Sequence, residues 1–452
     1  MGDQQVVPAR TWTHRWTFVL AAAGSAIGLG NLWKFPYMAG VNGGGAFVLA
    51  YLCFIAAVGV PIMMAEVALG RHGRHSPITT MSELAKTSQA SRWWGVSGWI
   101  SAVSSMCILS FYSVIAGWAV YYTIGMFSGT FDHITPEQAD ASFEALTLSP
   151  LRMTVWHSVF MVLTGIIVAR GVHKGLESSL RIIMPSLFVL LVVLLGYSVM
   201  YSGHFMEGVR FLLEFHPEDL TGQALLAALG HAFFSLSVGM GAIMAYGVYM
   251  PKKESIASTV AVVASLDTAI ALVAGLIIFP LTFSQGMEPN QGPELMFVTL
   301  TAVFSSMPAG QFFGGLFFLL VSIAALTSSI SMVEPLVTWL AERFAIKRAV
   351  GTTAYCLLAW LLGLGTVMSF NEWSDKLFLG RTFFETVDFL SANITLPLGG
   401  LLIAIFASWV MKRSLIYKEL NLSTGGFNVW RALCRVVAPL AVLVIFTENF
   451  LG

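Results

Sequence analysis

Charge is what this chain has least of. Asp, Glu, Lys and Arg make up 11% of its 452 residues, against about 25% in a soluble globular domain. Water is therefore not its main solvent. Cysteine is also scarce: Cys53, Cys107, Cys356 and Cys434 stand singly in or beside apolar stretches, with no CxxC spacing. A disulfide framework and a thiolate metal site are both excluded, and the four are expected as buried, inert thiols. Neither HExxH nor GxSxG occurs, and the nine His are scattered. An intramembrane enzyme, the first competing class, thus lacks its nucleophile or metal constellation. His231 is expected to be a hydrogen-bonded helix contact rather than a catalytic base. Trp12, Arg15 and Trp16 lead into a long apolar run with no small-residue cleavage site, so no cleaved signal peptide is expected.

Long hydrophobic runs fill the space that charge leaves. Runs of 17 or more residues, each able to cross about 30 Å of hydrocarbon, are read near 16–39, 44–69, 93–127, 153–169, 180–201, 222–249, 256–284, 310–341, 350–370, 383–410 and 429–447. Lipid offers exposed backbone groups no partner, and the runs lack the alternation of barrel strands, so all eleven are expected as helices. The expected class is an all-α polytopic membrane protein. Net charge is zero, yet 19 of the 24 Lys and Arg fall in alternate loops, while the loops between them are acidic or neutral. The positive-inside rule then places the N-terminus in the cytoplasm and, after an odd number of spans, the C-terminus near Glu448 outside the cell membrane. No nucleic acid is expected as a partner.

Two interruptions break the monotony. The first span holds Gly24-Ser25-Ala26-Ile27-Gly28-Leu29-Gly30-Asn31, and the sixth holds Ser235-Leu236-Ser237-Val238-Gly239-Met240-Gly241. Each opens a five-helix unit, and five is odd, so the second unit starts from the opposite side, as an inverted repeat requires. The expected organisation is a cytoplasmic segment over 1–15, a first repeat over 16–201, an inverted repeat over 222–410 and an eleventh helix over 429–447. Glycines also gather where membrane helices touch, which is the plainer reading of either segment alone. Paired, Gly-interrupted segments in corresponding positions point instead to a transporter's binding site. Unwinding exposes N–H groups that favour an anion and carbonyls that favour a cation.

The run Gly28-Leu29-Gly30-Asn31-Leu32-Trp33-Lys34-Phe35-Pro36-Tyr37, then Asn42-Gly43-Gly44-Gly45-Ala46-Phe47, resembles the signature of the neurotransmitter:sodium symporter family. The likeness continues through Pro61, Glu66, Gly70 and Arg71, and through Leu326-Thr327-Ser328-Ser329-Ile330. It is nearest to bacterial carriers of hydrophobic amino acids. Broken helices 1 and 6 in a leucine-transporter-like fold are what that resemblance implies. It also implies two sodium ions. One would be held by Ala26, Asn31, Ser235, Asp267 and the substrate carboxylate, the other by Gly24, Ile27, Ala324, Thr327 and Ser328. Both sets are hard oxygen donors. Thr327 and Ser328 have a simpler alternative in hydrogen bonds to their own helix carbonyls.

By the same resemblance, the substrate carboxylate meets Tyr112 and the N–H groups near Leu29 and Gly30, while carbonyls around Phe234 and Ser237 hold the ammonium. Ile108, Phe234, Met240, Ser328 and Met332 would wall the side-chain pocket. Lys34 with Asp388 forms an outer gate, Phe234 with Tyr112 an aromatic lid, and Arg10 with Glu342 an inner gate. Gly175 and Pro185 resemble a motif that unwinds the fifth helix. Chloride is not expected, because Asp267 puts a fixed carboxylate beside the first sodium. The implied function is sodium-coupled import of hydrophobic L-amino acids. The competing reading is a substrate-binding sensor or channel that uses the same fold without coupled transport.

Overall fold

The computed structural model describes residues 15–171, 178–284, 286, 295–378 and 380–451. They form helices throughout: α1 (Arg15–Ala26), α2 (Gly30–Val41), α3 (Gly45–Gly73), α4 (Pro77–Thr87), α5 (Arg92–Phe127), α6 (Pro136–Thr147), α7 (Pro150–Ala169), α8 (Ser178–Tyr201) and α9 (Phe205–Leu213). There follow α10 (Gly222–Ser235), α11 (Ala242–Gly247), α12 (Ile256–Phe283), α13 (Met296–Ser306), α14 (Gly310–Phe344), α15 (Arg348–Ser369), α16 (Phe383–Val410), α17 (Arg413–Leu420) and α18 (Thr424–Thr447). Among the described residues nine helices are long and apolar enough to cross a membrane, or ten with the bent pair α1–α2. The expected sixth span is two short pieces, α10 and α11, consistent with a total of eleven. Membrane-crossing helices expected over 153–169 and 429–447 begin earlier, at Pro150 and Thr424, where Ser149 and Ser423 cap the first turn.

Proline shapes several spans. Its ring collides with the carbonyl four residues earlier, and a wide π-type turn relieves the clash. Such turns occur at Gly30–Lys34, Ile55–Gly59, Leu390–Thr395 and Leu433–Val437, each containing the residue four before Pro36, Pro61, Pro397 or Pro439. Pro185 differs: it lies inside the continuous helix α8. Gly175 lies outside the described residues, as does Arg10.

The long helix α14 packs along α5, and α7 and α15 pack on both. Contact is close because small residues face it. A Cβ on Gly117 would come within 2.7 Å of the Trp156 backbone, so α5 and α7 touch backbone to backbone. Outward faces carry apolar side chains such as Val162, Ile182, Val192 and Leu357, the reverse of a soluble surface and suited to lipid. Of the four thiols, Cys434 is buried, Cys107 and Cys356 are half-buried, and Cys53 is exposed. The expectation of buried thiols therefore fails at Cys53, which sits on such an outward face of α3.

Candidate functional site

The two interruptions lie side by side. The chain bends by 44° between α1 and α2, and residues 236–241 between α10 and α11 are not helical. Ser237, Gly239 and Gly241 take φ of 53°, 88° and 76°, a left-handed region that halts a helix. Gly239 has a second reason to be glycine, since a Cβ there would overlap the Leu396 carbonyl oxygen on α16. Unwound backbone away from water must find partners, and it does. Gly239 N–H donates to Glu66 Oε1 at 2.6 Å, and Met244 N–H to Oε2 at 3.3 Å. Ser105 donates to the Met240 carbonyl at 2.8 Å, and Ser237 to the Ser25 carbonyl at 2.9 Å.

Two oxygen clusters flank these breaks. In the first, the buried Asp267 carboxylate accepts from Asn31 Nδ2 at 2.7 Å, Ser235 Oγ at 2.6 Å and Tyr51 Oη at 3.2 Å. Asn31 Nδ2 also reaches the Asp267 carbonyl at 2.9 Å. Asn31, Ser235 and Asp267 thus meet in one cluster, while Ala26, the fourth residue of that set, lines the adjoining cavity. In the second, Ser328 Oγ lies 3.4 Å from the Gly24 carbonyl, 3.0 Å from that of Ser25 and 3.4 Å from that of Ile27. Thr327 Oγ1 lies 3.4 Å from the Ile27 carbonyl and 2.8 Å from that of Ala324. Thr327 therefore does bond its own helix, yet it also turns toward the facing break. All five residues of the second set converge, and both sets offer the oxygen donors that a small hard cation takes.

Between the clusters is a cavity lined by Ser25, Ala26, Gly28, Gly30, Tyr112, Phe234, Ser237, Met240, Ser328 and Met332. Tyr112 Oη accepts from Leu29 N–H at 3.1 Å, which brings together two donors expected to meet a carboxylate. The space is only about 10 Å³, far below the ~300–1,000 Å³ of a ligand pocket. An amino acid enters only if the wall gives way, and Met240 and Met332 are flexible enough to do so. Ile108 is buried on α5 but does not line the cavity. Above it, Lys34 Nζ pairs with Asp388 Oδ1 at 3.0 Å and lies 4.6 Å from the Phe234 ring centre. Glu342 accepts from Ser76 N–H at 2.8 Å, Ser76 Oγ at 2.6 Å and Thr79 Oγ1 at 2.9 Å.

The profile of the sodium:neurotransmitter symporter family matches residues 9–142 and 142–451. The chain belongs to that family. Relatives include an uncharacterised sodium-dependent transporter, YhdH, of Bacillus subtilis, 39% identical over 100% of this chain and 99% of its own. Another, from Haemophilus influenzae, is 34% identical over 97% of this chain and 98% of its own. Among solved structures, MhsT in complex with L-phenylalanine matches with a TM-score of 0.91 and 38% identity, over 98% of this chain and 100% of that one. The protein is thus a multi-pass membrane transporter of a sodium-dependent family, not an enzyme.

Within this symporter frame, three participants escaped the sequence reading of the site. Tyr51 bonds Ser235 at 3.0 Å as well as Asp267, Ser25 lines the cavity, and Glu66 anchors the second break. Glu66 left a signal as a charge inside an apolar run and Ser25 as a hydroxyl within the first break, whereas Tyr51 left none. His231 is a helix contact, packed against Phe35, Phe47 and Tyr51. Neither of its ring nitrogens has a hydrogen-bond partner among the described residues, so that part of the expectation fails. Glu66 yields a test. Glu66→Leu strands two buried N–H groups at about 1–3 kcal/mol each, and we expect a lowered unfolding temperature in detergent and loss of uptake. Glu66→Gln keeps one acceptor and should be milder. A Glu66→Leu protein as stable and active as wild type would remove this role.

Proposed function

We propose that this transporter imports hydrophobic L-amino acids with sodium, by alternating access and without chloride. Sodium 1 is held by Ala26, Asn31, Ser235 and Asp267 with the substrate carboxylate, and sodium 2 by Gly24, Ile27, Ala324, Thr327 and Ser328. The observation that carries the reading is the juxtaposition of two oxygen clusters with an apolar cavity containing the Tyr112 hydroxyl and the Leu29 N–H. The likeness to MhsT, whose structure holds L-phenylalanine, supports the substrate class. Lys34–Asp388 closes the outer side over Phe234, with the N-terminus and basic loops in the cytoplasm. Arg10 with Glu342 on the inner side, and Gly175 with Pro185 in the fifth span, belong to the same reading.

The substrate supplies its own carboxylate. In relatives that carry amines, an Asp stands at the position of Gly28. A Cβ on Gly28 would overlap Ser328 Oγ and lie 2.7 Å from Tyr112 Oη, so no side chain fits there unless both move. A bare amine leaves sodium 1 and the amide donors without a counter-charge, which costs about 3–5 kcal/mol for a broken buried pair. The test is competition against one labelled amino acid entering vesicles with and without an inward sodium gradient. Leucine, isoleucine, valine, phenylalanine and tryptophan should compete; aspartate, lysine, glycine and tryptamine should not. Tryptamine competing as well as tryptophan, or uptake indifferent to sodium, would overturn the proposal.

A further inference from the structure

Away from the substrate site, a groove of about 490 Å³ runs between α7 and α15 on the outward face of the bundle. Its walls are Ser158, Met161, Val162, Gly165, Ile166 and Ala169 from α7, and Thr353, Cys356, Leu357 and Trp360 from α15. Three features describe its occupant. The walls are almost wholly apolar, with Val162, Ile166 and Leu357 about half exposed. The groove follows α7 from Ser158 to Ala169, about 16 Å at 1.5 Å per residue, which is the depth of one hydrocarbon leaflet, about 15 Å. Its far end is closed by the Trp360 Nε1 to Ser158 Oγ hydrogen bond of 2.9 Å.

Its near end is basic. Arg170 follows Ala169 directly, and Lys347 and Arg348 open α15. Arg348 is occupied: it pairs with buried Glu334 and donates from Nε to the Val168 carbonyl at 2.9 Å, clamping α15 to the end of α7. Arg170 and Lys347 are exposed, and neither carries an ion pair among the described residues. By the charge asymmetry of the loops, this end faces the cytoplasm, where basic sites between membrane helices hold anionic headgroups.

We propose that this groove binds one anionic phospholipid of the cytoplasmic leaflet, with an acyl chain along Gly165 and Cys356 and the phosphate at Arg170 and Lys347. Both walls are tied to the helix that carries the second oxygen cluster. Thr164 on α7 bonds Ser329 at 2.8 Å, next to Ser328, and Tyr355 on α15 donates to the Met332 carbonyl at 3.1 Å. A lipid here braces α14 from behind, by contacts that the substrate reading does not require.

The experiment uses the full chain in phosphatidylcholine nanodiscs carrying a minor fraction of brominated lipid, either phosphatidylglycerol or phosphatidylcholine. The signal is the tryptophan quenching lost on Trp360→Phe. We expect that signal to be at least about twofold larger with brominated phosphatidylglycerol. Gly165→Leu should abolish the excess by filling the groove, and Arg170→Ala with Lys347→Ala should make the two lipids equal. Equal quenching by both lipids in wild type, or an excess that survives Gly165→Leu, overturns the proposal. Should Trp360→Phe not fold, native mass spectrometry decides: retention of one phosphatidylglycerol by wild type and its loss from Gly165→Leu supports it, and equal retention overturns it.

Discussion

Asn31→Ala and Thr327→Ala should each insert into the membrane normally and each lose sodium-stimulated uptake. Asn31 joins the first break to Asp267 by two hydrogen bonds, of 2.7 and 2.9 Å. Its removal deletes an oxygen donor and leaves buried partners unpaired, at about 1–3 kcal/mol. That corresponds to a rise of about 5- to 150-fold in the sodium concentration needed for half-maximal uptake, beyond any physiological supply at the upper end. Thr327 acts on the other cluster, where its hydroxyl bridges the Ile27 and Ala324 carbonyls. Thr327→Ser restores the hydroxyl and should restore sodium stimulation, whereas Thr327→Val, of similar shape, should not. Uptake is measured against a sodium titration at matched surface expression. A wild-type response from either alanine variant would remove that residue from its assigned site.

Replacing chloride with gluconate should leave wild-type uptake unchanged, and Asp267→Asn should break that indifference. Asp267 is buried at the first cluster, with Asn31, Ser235 and Tyr51 all donating to its carboxylate. On the proposed reading, a fixed negative charge there would do the electrostatic work of a bound anion. Asparagine keeps the shape and an oxygen but removes the charge, so sodium at this site lacks compensation, a loss on the order of 3–5 kcal/mol for a buried pair with one partner gone. We expect uptake by the variant to fall at least tenfold without chloride and to recover partly with it. A wild-type collapse in gluconate sinks the idea, as does an Asp267→Asn variant that stays fully active and indifferent to chloride.

The all-helical class and the placement of most spans were legible because lipid enforces them. A run of apolar residues has few alternatives in hydrocarbon, and expected and observed bounds agree closely at 180–201, 256–284 and 383–410. The breaks were legible for the same reason, since glycines and hydroxyls in mid-span contradict that solvent. Less accessible was anything decided by contact across the bundle. Tyr51 reads as one more aromatic in an apolar run until its hydroxyl is found on Asp267. His231 reads as a hydrogen-bonding residue until three rings surround it. The small volume between Tyr112 and Met332 depends on side-chain rotations that spacing does not encode. Helices outside the membrane, such as α4 and α6, are short and amphipathic, so hydropathy passes over them, although Thr135 with Gln138 forms a capping box at the start of α6.

The wide turn at Leu390–Thr395 means that one extra residue is stored in α16. Upstream of it stands Asp388, and downstream the helix is locked into the bundle through Leu396, Gly399 and Gly400. Tightening that turn to ordinary pitch with every residue kept would rotate the upstream half by about 100° about its axis. Asp388 would then swing off Lys34, and the 3.0 Å ion pair would be lost with both of its residues intact. The register of that turn, counted in whole residues, is therefore as much a part of the outer closure as the two charges themselves.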